Sequence, residues 1–547
     1  MFKQIKTIAA ASLLLLGTAT KAQLTISSGA VFNIQSGAFV TVQGDVTSSA
    51  DITGAGKVIL KGSANQNVNM NGFVIPNLEM DNVANATLTG NTKITNSVLF
   101  TNGKILVGNN TATLAATTTA SGMGASKFFE TNGTGFVRRE LAADISGSVM
   151  PVGAGTDYLP VALTNTGSAY AGASIGVQAI GTSSTNKHIR TESFLLAKWP
   201  IDKVGITGGT TNAVGTYVDP TRVIGSEADL RGIYWNGTNW SLAGGTQDNV
   251  LNTVGADIAT NTGELYGMNK FLLFDTKVIL QGAYNTGTGL MNDLLRTNLA
   301  YVPGTAPTPG TVNFLPTSDP YSTNADYSAN TNFTRVANTP TETVTSTAFN
   351  DQAIATDNIV DWVFLELRNA ATPSVVAQTR SALLQRDGDV VDIDGVSPVY
   401  FKNVDAGNYI VSVKHRNHLA MSINVANYSQ ALGLVKNTQF DYSTTPATNL
   451  LGVAATNYFN GSSKNMLYAG NVNGNANVRF SALSNDKDAL LINVLGNVST
   501  NSVTGYSRGD LNMNRIARFT ALNNDKDYLL ITVLGGLTTA SKTQSTP

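Results

Sequence analysis

The sequence predicts a mainly β, multi-domain protein that ends in a small helical module, and three observations predict it. Short runs of alternating apolar and polar residues fill residues 23–135. Further along, Asn-Gly and Asp-Gly pairs lie between apolar runs, as in two-residue hairpin turns. A stretch near the C-terminus, 471–496, recurs at 510–535 with an offset of 39 residues. At 547 residues the chain has room for roughly three or four domains.

The composition excludes several classes of function. Charged residues make up only 13% of the chain and the net charge is −1, so the basic face that nucleic acid requires is not expected. The chain has no Cys, which excludes both disulfides and a thiol nucleophile.

Residues 1–22 predict a secretory signal peptide. Lys3 and Lys6 precede the apolar run IAAASLLLLG, and small residues follow before Ala22. No later stretch reaches the roughly 18 apolar residues that a membrane span requires. We therefore expect a secreted, extracellular protein that is associated with the cell surface.

Residues 23–135 predict a β-solenoid, in which short strands stack as successive coils. The alternative for the same pattern is an antiparallel β-sandwich. Carboxylates are sparse in this region, which argues against the clustered acids of a polysaccharide-cleaving groove.

Residues 136–276 predict a β-sandwich. The segment YWNGTNW places an Asn-Gly turn between Trp235 and Trp240, which indicates a hairpin. Such aromatic side chains can stack on sugar rings, but more often they pack as cross-strand pairs.

Four further segments complete the chain. Residues 277–346 predict a strand followed by a long polar loop, and 347–435 predict a second β-sandwich of immunoglobulin or transthyretin type. Residues 436–468 are expected to be a linker. Residues 469–540 hold the duplication, as a pair of loop-helix units.

Two other sets of side chains are candidate metal sites. The acids Asp387, Asp389, Asp392 and Asp394 could hold a cation, although solvated turns are the simpler interpretation. His415 and His418 lie in a strand-like segment, which would point them to opposite faces and leave them near the surface.

The duplicated segment carries the candidate calcium ligands. Oxygen-bearing side chains at alternate positions ahead of a short helix suit a calcium loop. Because amides replace most of the acids, we expect only weak affinity. The candidate ligands are Asn471, Asn473, Asn475, Asp486 and Asp488 in the first copy and Asp510, Asn512, Asn514, Asp525 and Asp527 in the second.

The chain resembles a family of large secreted bacterial surface proteins, often called hemagglutinin-like or adhesin-like. The likeness rests on KVILQGAYNTGTGLMNDLLRT, NIVDWVFLELRNA, SALLQRDGDVVDIDG and LYAGNVNGNANVRF, with NNDKDYLLITVLGG in the tail. The tail is similar to a divergent type I dockerin, a duplicated calcium loop-helix module. The resemblance implies a non-catalytic structural or adhesive protein whose tail docks to a surface protein or glycan, with calcium as a possible ligand.

An enzyme is not expected. No nucleophile elbow is evident in the sequence, and the sequence does not single out a pair of carboxylates for glycoside hydrolysis. The alternative function is a carbohydrate-binding exoprotein, or one associated with polysaccharide degradation.

Overall fold

The computed structural model describes residues 22–296, 313–328, 330–336, 341–426, 428–451 and 464–544. Strands make up 42% of the structure and helices 9%, so the prediction of a mainly β protein is confirmed. The predicted signal peptide lies outside the described residues, apart from Ala22. In the part of the chain that is described, no helix is long and apolar enough to cross a membrane. Two compact units make up the fold, Met1–Asn269 and Lys270–Pro547.

The first unit begins as a β-solenoid, which confirms the solenoid prediction. The chain alternates between two parallel sheets, so each circuit adds one strand to both. The first sheet consists of Leu24–Ile26, Val46–Ser48, Gln66–Asn69, Ala86–Leu88, Ile105–Leu106, Phe129–Glu130 and Val152–Ala154, closed by antiparallel Asp157–Tyr158. The second consists of Phe39–Val42, Lys57–Leu60, Val74–Asp81, Thr92–Asn102, Ala112–Leu114 and Val137–Glu140, with Thr119–Ser121 beside Thr92–Asn102. A minor parallel pair joins Phe32–Asn33 to Ile52–Thr53.

The alternation in the sequence explains the solenoid, because equivalent side chains of successive coils stack. Val58 lies beside Leu78, and Leu78 lies beside Val98, all of them buried. On the outer face Glu79 accepts hydrogen bonds from Lys57 at 2.7 Å and from Thr101 at 2.9 Å. The antiparallel alternative for residues 23–135 is wrong, since these strands pair in parallel.

Antiparallel strands continue the second solenoid sheet beyond residue 140, so one sheet crosses the predicted boundary at 135. The added strands are Ser174–Val177, Phe194–Val204, Thr262–Asn269, Leu230–Trp235 and Trp240–Ser241, with Val223–Ile224 on the side. A separate antiparallel sheet contains Ile145–Met150, Val161–Thr166, Thr210–Thr216, Thr253–Asp257 and Thr246–Asp248. The 3₁₀ turn Glu227–Asp229 leads into Leu230–Trp235.

The tryptophans of the first unit pack inside it. Trp199 is fully buried, and its Nε1 donates to the Leu159 carbonyl at 3.0 Å. Trp235 and Trp240 face each other across the predicted hairpin with ring centroids 5.2 Å apart. Trp240 is only 7% exposed. Trp235 and Trp240 therefore form a cross-strand pair, as expected if these aromatic side chains serve packing.

The second unit is organised around one large sheet. In spatial order its strands are Phe440–Asp441, Thr276–Lys277, Asp389–Val391, Val376–Gln385, Ile359–Asn369, Gly407–His415, His418–Ile423 and Leu450–Leu451, with Gln430–Leu432 beside Gly407–His415. Two small pairs are Phe271–Phe274 with Val399–Lys402 and Tyr284–Asn285 with Leu290–Met291. Short helical turns lie at Leu294–Arg296, Pro320–Thr323, Ala325–Ser328, Thr331–Phe333, Ser346–Phe349, Ala355–Asp357 and Ala447–Asn449. Phe440–Asp441, within the predicted linker, is thus a strand of this sheet.

The central strand Ile359–Asn369 is buried along all but its last residue. Trp362 on this strand donates from Nε1 to the Pro316 carbonyl at 2.9 Å, and Tyr321 donates to the Trp362 carbonyl at 2.8 Å. Apolar residues of the C-terminal duplication join the same core, including Leu490 and Leu529. The duplication is therefore packed into the second unit.

Candidate functional site

Residues 471–544 form two equivalent halves. In each half an α-helical turn continues as a short π-helix: Asp486–Asp488 into Ala489–Val494, and Asp525–Asp527 into Tyr528–Val533. The strand Ser502–Thr504, which follows the first helix, pairs with Ile516–Arg518 of the second half. Ser541–Thr543, which follows the second helix, pairs back with Asn477–Arg479. Each half therefore supplies one strand to a two-stranded sheet with the other half. We call residues 471–496 copy one and 510–535 copy two.

A buried carboxylate at the start of each helix holds the preceding loop in place. Asp486 accepts from the backbone N–H of Val472 at 2.9 Å and of Arg479 at 2.8 Å. Asp525 accepts in the same way from Leu511 at 2.7 Å and Arg518 at 2.8 Å. Both side chains are fully buried. Because each side chain accepts from N–H groups on both sides of its loop, it defines the loop conformation.

The alternating asparagines also serve the loop. Oδ1 of Asn473 accepts from the Asn475 N–H at 3.0 Å, and Oδ1 of Asn475 accepts from the Asn477 N–H at 2.8 Å. In copy two, Oδ1 of Asn512 accepts from the Asn514 N–H, and Oδ1 of Asn514 accepts from the Ile516 N–H. Asx turns of this kind shape a loop without a metal.

The first position of the loop differs between the copies. The Asp510 carboxylate of copy two accepts from the Asn514 N–H at 2.9 Å and the Arg515 N–H at 2.7 Å. Its counterpart Asn471 is equally buried, but its Oδ1 has no hydrogen-bond partner. This orphaned acceptor is the main departure from the shared pattern.

The outer acids lie apart from the buried ones. Asp488 and Asp527 are about half exposed, each with a lysine neighbour within 2.9 Å. Their backbone N–H groups donate at 2.8 Å to Asn485 and Asn524, which cap the two helices. Asp488 and Asp527 therefore belong to the first turns of the helices and do not converge on the centre of the loop.

Burial sets the electrostatics of the inner acids. It raises the pKa of Asp486 to about 7 and that of Asp510 to about 6. Burial, with the added charge of Asp510, raises the pKa of Asp525 well above its usual range. The backbone N–H groups oppose these shifts without cancelling them.

These contacts decide how well the loops suit calcium. In copy two all four oxygens of Asp510 and Asp525 face N–H donors, so a cation at these oxygens would have to replace those hydrogen bonds. Copy one fits in part, because Asn471 Oδ1 is free to accept. Nowhere in the described ranges do three or more His, Cys, Asp or Glu side chains form a group that could hold a metal. Calcium stays a prediction for these loops.

A buried polar cluster, which we call the hub, fastens copy two to the sheet. It consists of Asp361, His415, Arg416, Asn417 and His418. Arg416 donates from Nε to Asp361 at 2.9 Å and from its terminal nitrogens to the Ser507 carbonyl and the Met513 sulfur. Asn417 donates from Nδ2 to the Asp510 carbonyl at 2.7 Å.

The hub histidines form a chain with one consistent set of protons. The Gly282 N–H donates to His418 Nε2 at 3.1 Å, so the proton of His418 is on Nδ1. That nitrogen lies 2.9 Å from His415 Nδ1, and His415 Nε2 donates to Asp361 at 3.0 Å. Burial lowers the pKa of both rings below the usual value, so both are neutral. For Asp361 burial alone would raise the pKa, but Arg416 and His415 outweigh it and bring the pKa to about 2.

The prediction that His415 and His418 point to opposite faces near the surface is wrong. His415 and His418 face each other across the hairpin turn between Gly407–His415 and His418–Ile423, so they lie on the same side and are fully buried. The signal that could have revealed it is the run Lys-His-Arg-Asn-His between two apolar strands, since so many polar residues there need partners.

The acids between 387 and 394 separate in the structure. Asp387 and Asp389 both pair with Lys277, at 3.1 and 3.0 Å. Asp392 is buried and pairs with Arg380 at 2.8 Å, whereas Asp394 accepts from the turn that follows it. Each has a protein partner, as expected of turns and ion pairs.

Comparison with known proteins adds no relative, since no family model, no curated protein and no solved structure matches this chain.

Proposed function

We propose that this chain is a secreted, non-catalytic structural or adhesive protein of the cell surface, and that its duplicated tail is the part that binds a partner. One observation carries the proposal. Six large apolar side chains within residues 464–544 are strongly exposed, and they form three pairs at the repeat offset. The pairs are Leu483 with Leu522, Ile492 with Ile531, and Val498 with Leu537.

Single exposed apolar residues are common on protein surfaces and need no explanation. Here each exposed residue has an exposed counterpart in the other copy, while Leu490 and Leu529 of the same helices are buried. The two copies thus present the same apolar surface twice. Exposed apolar groups amid polar neighbours favour an interaction surface.

The rest of the chain suits a supporting role. Stacked strands, with ion pairs and amide contacts along the outer face, make a scaffold that needs neither disulfides nor metals. The signal-like residues 1–22 support secretion. The immunoglobulin- or transthyretin-like type of the second sheet and the dockerin-like character of the tail belong to this proposal.

The test locates the chain and measures attachment. Intact cells of the native host are treated with protease, and the chain is followed with an antibody against residues 136–276. We expect the protease to remove the chain from the cell surface. We also expect the envelope fraction to bind the full-length protein. Protection of the chain in intact cells, with release only after lysis, would contradict the proposal.

A calcium titration tests the metal separately. If copy one binds calcium only when folded, excess calcium must raise the melting temperature of the full chain. Magnesium at the same ionic strength is the control. An unchanged melting temperature would remove calcium from the proposal and leave the adhesive role intact.

A further inference from the structure

Each copy of the tail carries a pocket, and the two pockets share a set of equivalent residues. The pocket of copy one has a volume of about 520 Å³ and that of copy two about 460 Å³. The first is lined by Asn473, Asn475, Leu483, Asn485, Asp488 and Ile492, among others. The second is lined by their counterparts 39 residues on, Asn512, Asn514, Leu522, Asn524, Asp527 and Ile531, and in addition by Asn292 and Leu294 from outside the tail and by Tyr528, where copy one has Ala489. We call these the twin pockets. Their volumes lie within the usual range for small-ligand sites.

The lining of each pocket combines amides, one carboxylate and two exposed apolar side chains. Among the described residues, neither pocket is lined by Lys or Arg. Asp488 and Asp527 each keep one lysine beside them, and that lysine also lies over a phenylalanine ring, 5.7 Å away in copy one and 5.8 Å in copy two. An anionic ligand would therefore meet a carboxylate without a free cation, so a neutral ligand is favoured.

The polar and apolar parts of the lining suit hydroxyl-rich rings. Amide and carboxylate oxygens accept hydrogen bonds from hydroxyl groups. Leu483 is 88% exposed and Leu522 is 71% exposed, so both can cover the C–H face of a ring and exclude water from it. A sugar unit presents both kinds of surface.

The duplication of the pocket also limits which ligands fit. Because these equivalent side chains line both pockets, we expect a ligand that fills both to present the same unit twice. A polymer of one repeating unit does so along its whole length. We propose that the twin pockets bind two units of one neutral polysaccharide; this rests on the proposed adhesive role and names the class of its partner.

Two linked sites on one polymer bind more tightly than either site alone. Loss of one pocket should therefore weaken binding by roughly 10²-fold or more, and loss of both should abolish it. The exposed apolar residues are the positions to change, because their side chains contribute little to the folded core. The variants are Leu483→Ser with Ile492→Ser for copy one, Leu522→Ser with Ile531→Ser for copy two, and all four together.

A matched control lies outside the tail. Leu251→Ser with Ile354→Ser changes one exposed leucine and one exposed isoleucine, the same residue types as in each pocket variant, and neither residue lines a twin pocket. It should bind as the unchanged protein does.

The experiment uses the full chain in native affinity gels that contain one polysaccharide each. The neutral probes are a mixed-linkage β-glucan, a galactomannan and dextran, and the anionic probes are alginate and dextran sulfate. We expect retardation by at least one neutral probe, weaker in each two-residue pocket variant, absent in the four-residue variant and normal in the control. Circular dichroism of every variant checks that the fold is retained.

Several outcomes would overturn the inference. One is that the unchanged chain migrates freely with all three neutral probes, a result that does not depend on any variant. Another is that the control loses binding as fully as the pocket variants. Attachment to envelope fractions that survives removal of glycan but is lost in the four-residue variant would identify a protein partner. That last result would overturn the glycan and leave the proposed adhesive role standing, whereas a chain confined inside the cell would overturn that role.

Discussion

Copy one and copy two of the tail share one framework and differ at its first residue, Asn471 in one and Asp510 in the other. In copy two the carboxylate collects two loop N–H groups, and the backbone takes left-handed conformations at Met513 (φ +54) and Arg515 (φ +68) to deliver them. Left-handed backbone costs a non-glycine residue roughly 1–2 kcal/mol. Copy one places Gly474 (φ +71) opposite Met513 and leaves the Asn471 oxygen without a partner. The charged Asp510 side chain thus stabilises a strained loop conformation in copy two. Copy one, with the neutral Asn471 amide at this position, does not require that conformation.

The two copies also differ in the polar contacts that hold them. Copy one contacts the hub through the Asn471 N–H, which donates to the Asn417 carbonyl at 3.0 Å. Copy two contacts it through the Asp510 carbonyl and the Met513 sulfur, and Tyr528 donates to the Gln281 carbonyl at 3.1 Å. Ala489 occupies the position of Tyr528 in copy one. Duplicated modules can therefore divide their roles, with copy two anchored more heavily through polar contacts.

The largest effect is expected when the anchor is broken. Arg416→Met leaves the Asp361 carboxylate buried with its main cation removed, which costs about 3–5 kcal/mol. Urea denaturation of the full chain should show the second unit destabilised by this amount, with residues 464–544 cut early by protease. The matched control is Arg479→Met, a partly exposed residue of copy one. If Arg416→Met were as stable as this control, the hub would not be the anchor.

The pH dependence of copy one is the next largest effect. Because folding raises the pKa of Asp486 from 3.8 to about 7, its contribution to stability is fully present below pH 4 and is lost as the pH rises through 7. Each pKa unit is worth about 1.4 kcal/mol, so the loss is on the order of 4 kcal/mol. Asp486→Asn should remove this part of the pH dependence.

The measurement is the free energy of unfolding of both proteins between pH 4 and pH 8. The difference between them should change steadily across this range. Asp488→Asn, which changes an exposed acid in the same helix, should leave the pH profile as it is. A constant difference between Asp486→Asn and the unchanged protein would contradict burial as the cause of the shift.

Making copy two resemble copy one should cost less. Asp510→Asn removes a charged acceptor from two backbone N–H groups and weakens the loop by about 2–3 kcal/mol. Thermal unfolding measures the loss, and Asp527→Asn is the control for an exposed acid of the same copy. Equal melting temperatures for the two variants would show that the Arg515 conformation does not depend on the carboxylate.

The converse change should have the smallest effect. Asn471→Asp places a carboxylate at a buried site without two N–H partners, so stability should fall by about 1–2 kcal/mol in the absence of metal. Excess calcium should recover part of that loss if the orphaned position can accept a cation. The melting temperature with and without calcium decides this, and Asn473→Asp, which changes a more exposed ligand position, serves as the control.

The solenoid strands and the two loop-helix units could be predicted, because both depend on patterns of neighbouring residues. The short runs of alternating apolar and polar residues between 39 and 60 predict stacked strands, because the same inward positions recur in every coil. The duplication likewise predicts two equivalent loop-helix units. What could not be predicted depends on distant partners: the pairing of Asp361 with His415 and Arg416 joins segments more than fifty residues apart, and nothing near either segment announces it.

The candidate ligands show the same limit. The positions of Asn473 and Asp486 were identified from spacing, but spacing does not say whether an oxygen faces a cation or a backbone N–H. That choice depends on small differences in the turn, such as those at Ala476 and Arg515. The twin pockets were also missed, since they arise where loop and helix meet and have no pattern of their own.

The pairing of Ser541–Thr543 with Asn477–Arg479 has a consequence for biosynthesis. A ribosome delivers the earlier strand first, and its partner emerges only after the whole second loop and helix have been made. Until then the strand Asn477–Arg479 has an unpaired edge, and such edges favour pairing with other chains. The tail can therefore reach its native arrangement only after translation has passed residue 543, whereas the solenoid can close coil by coil as it is made.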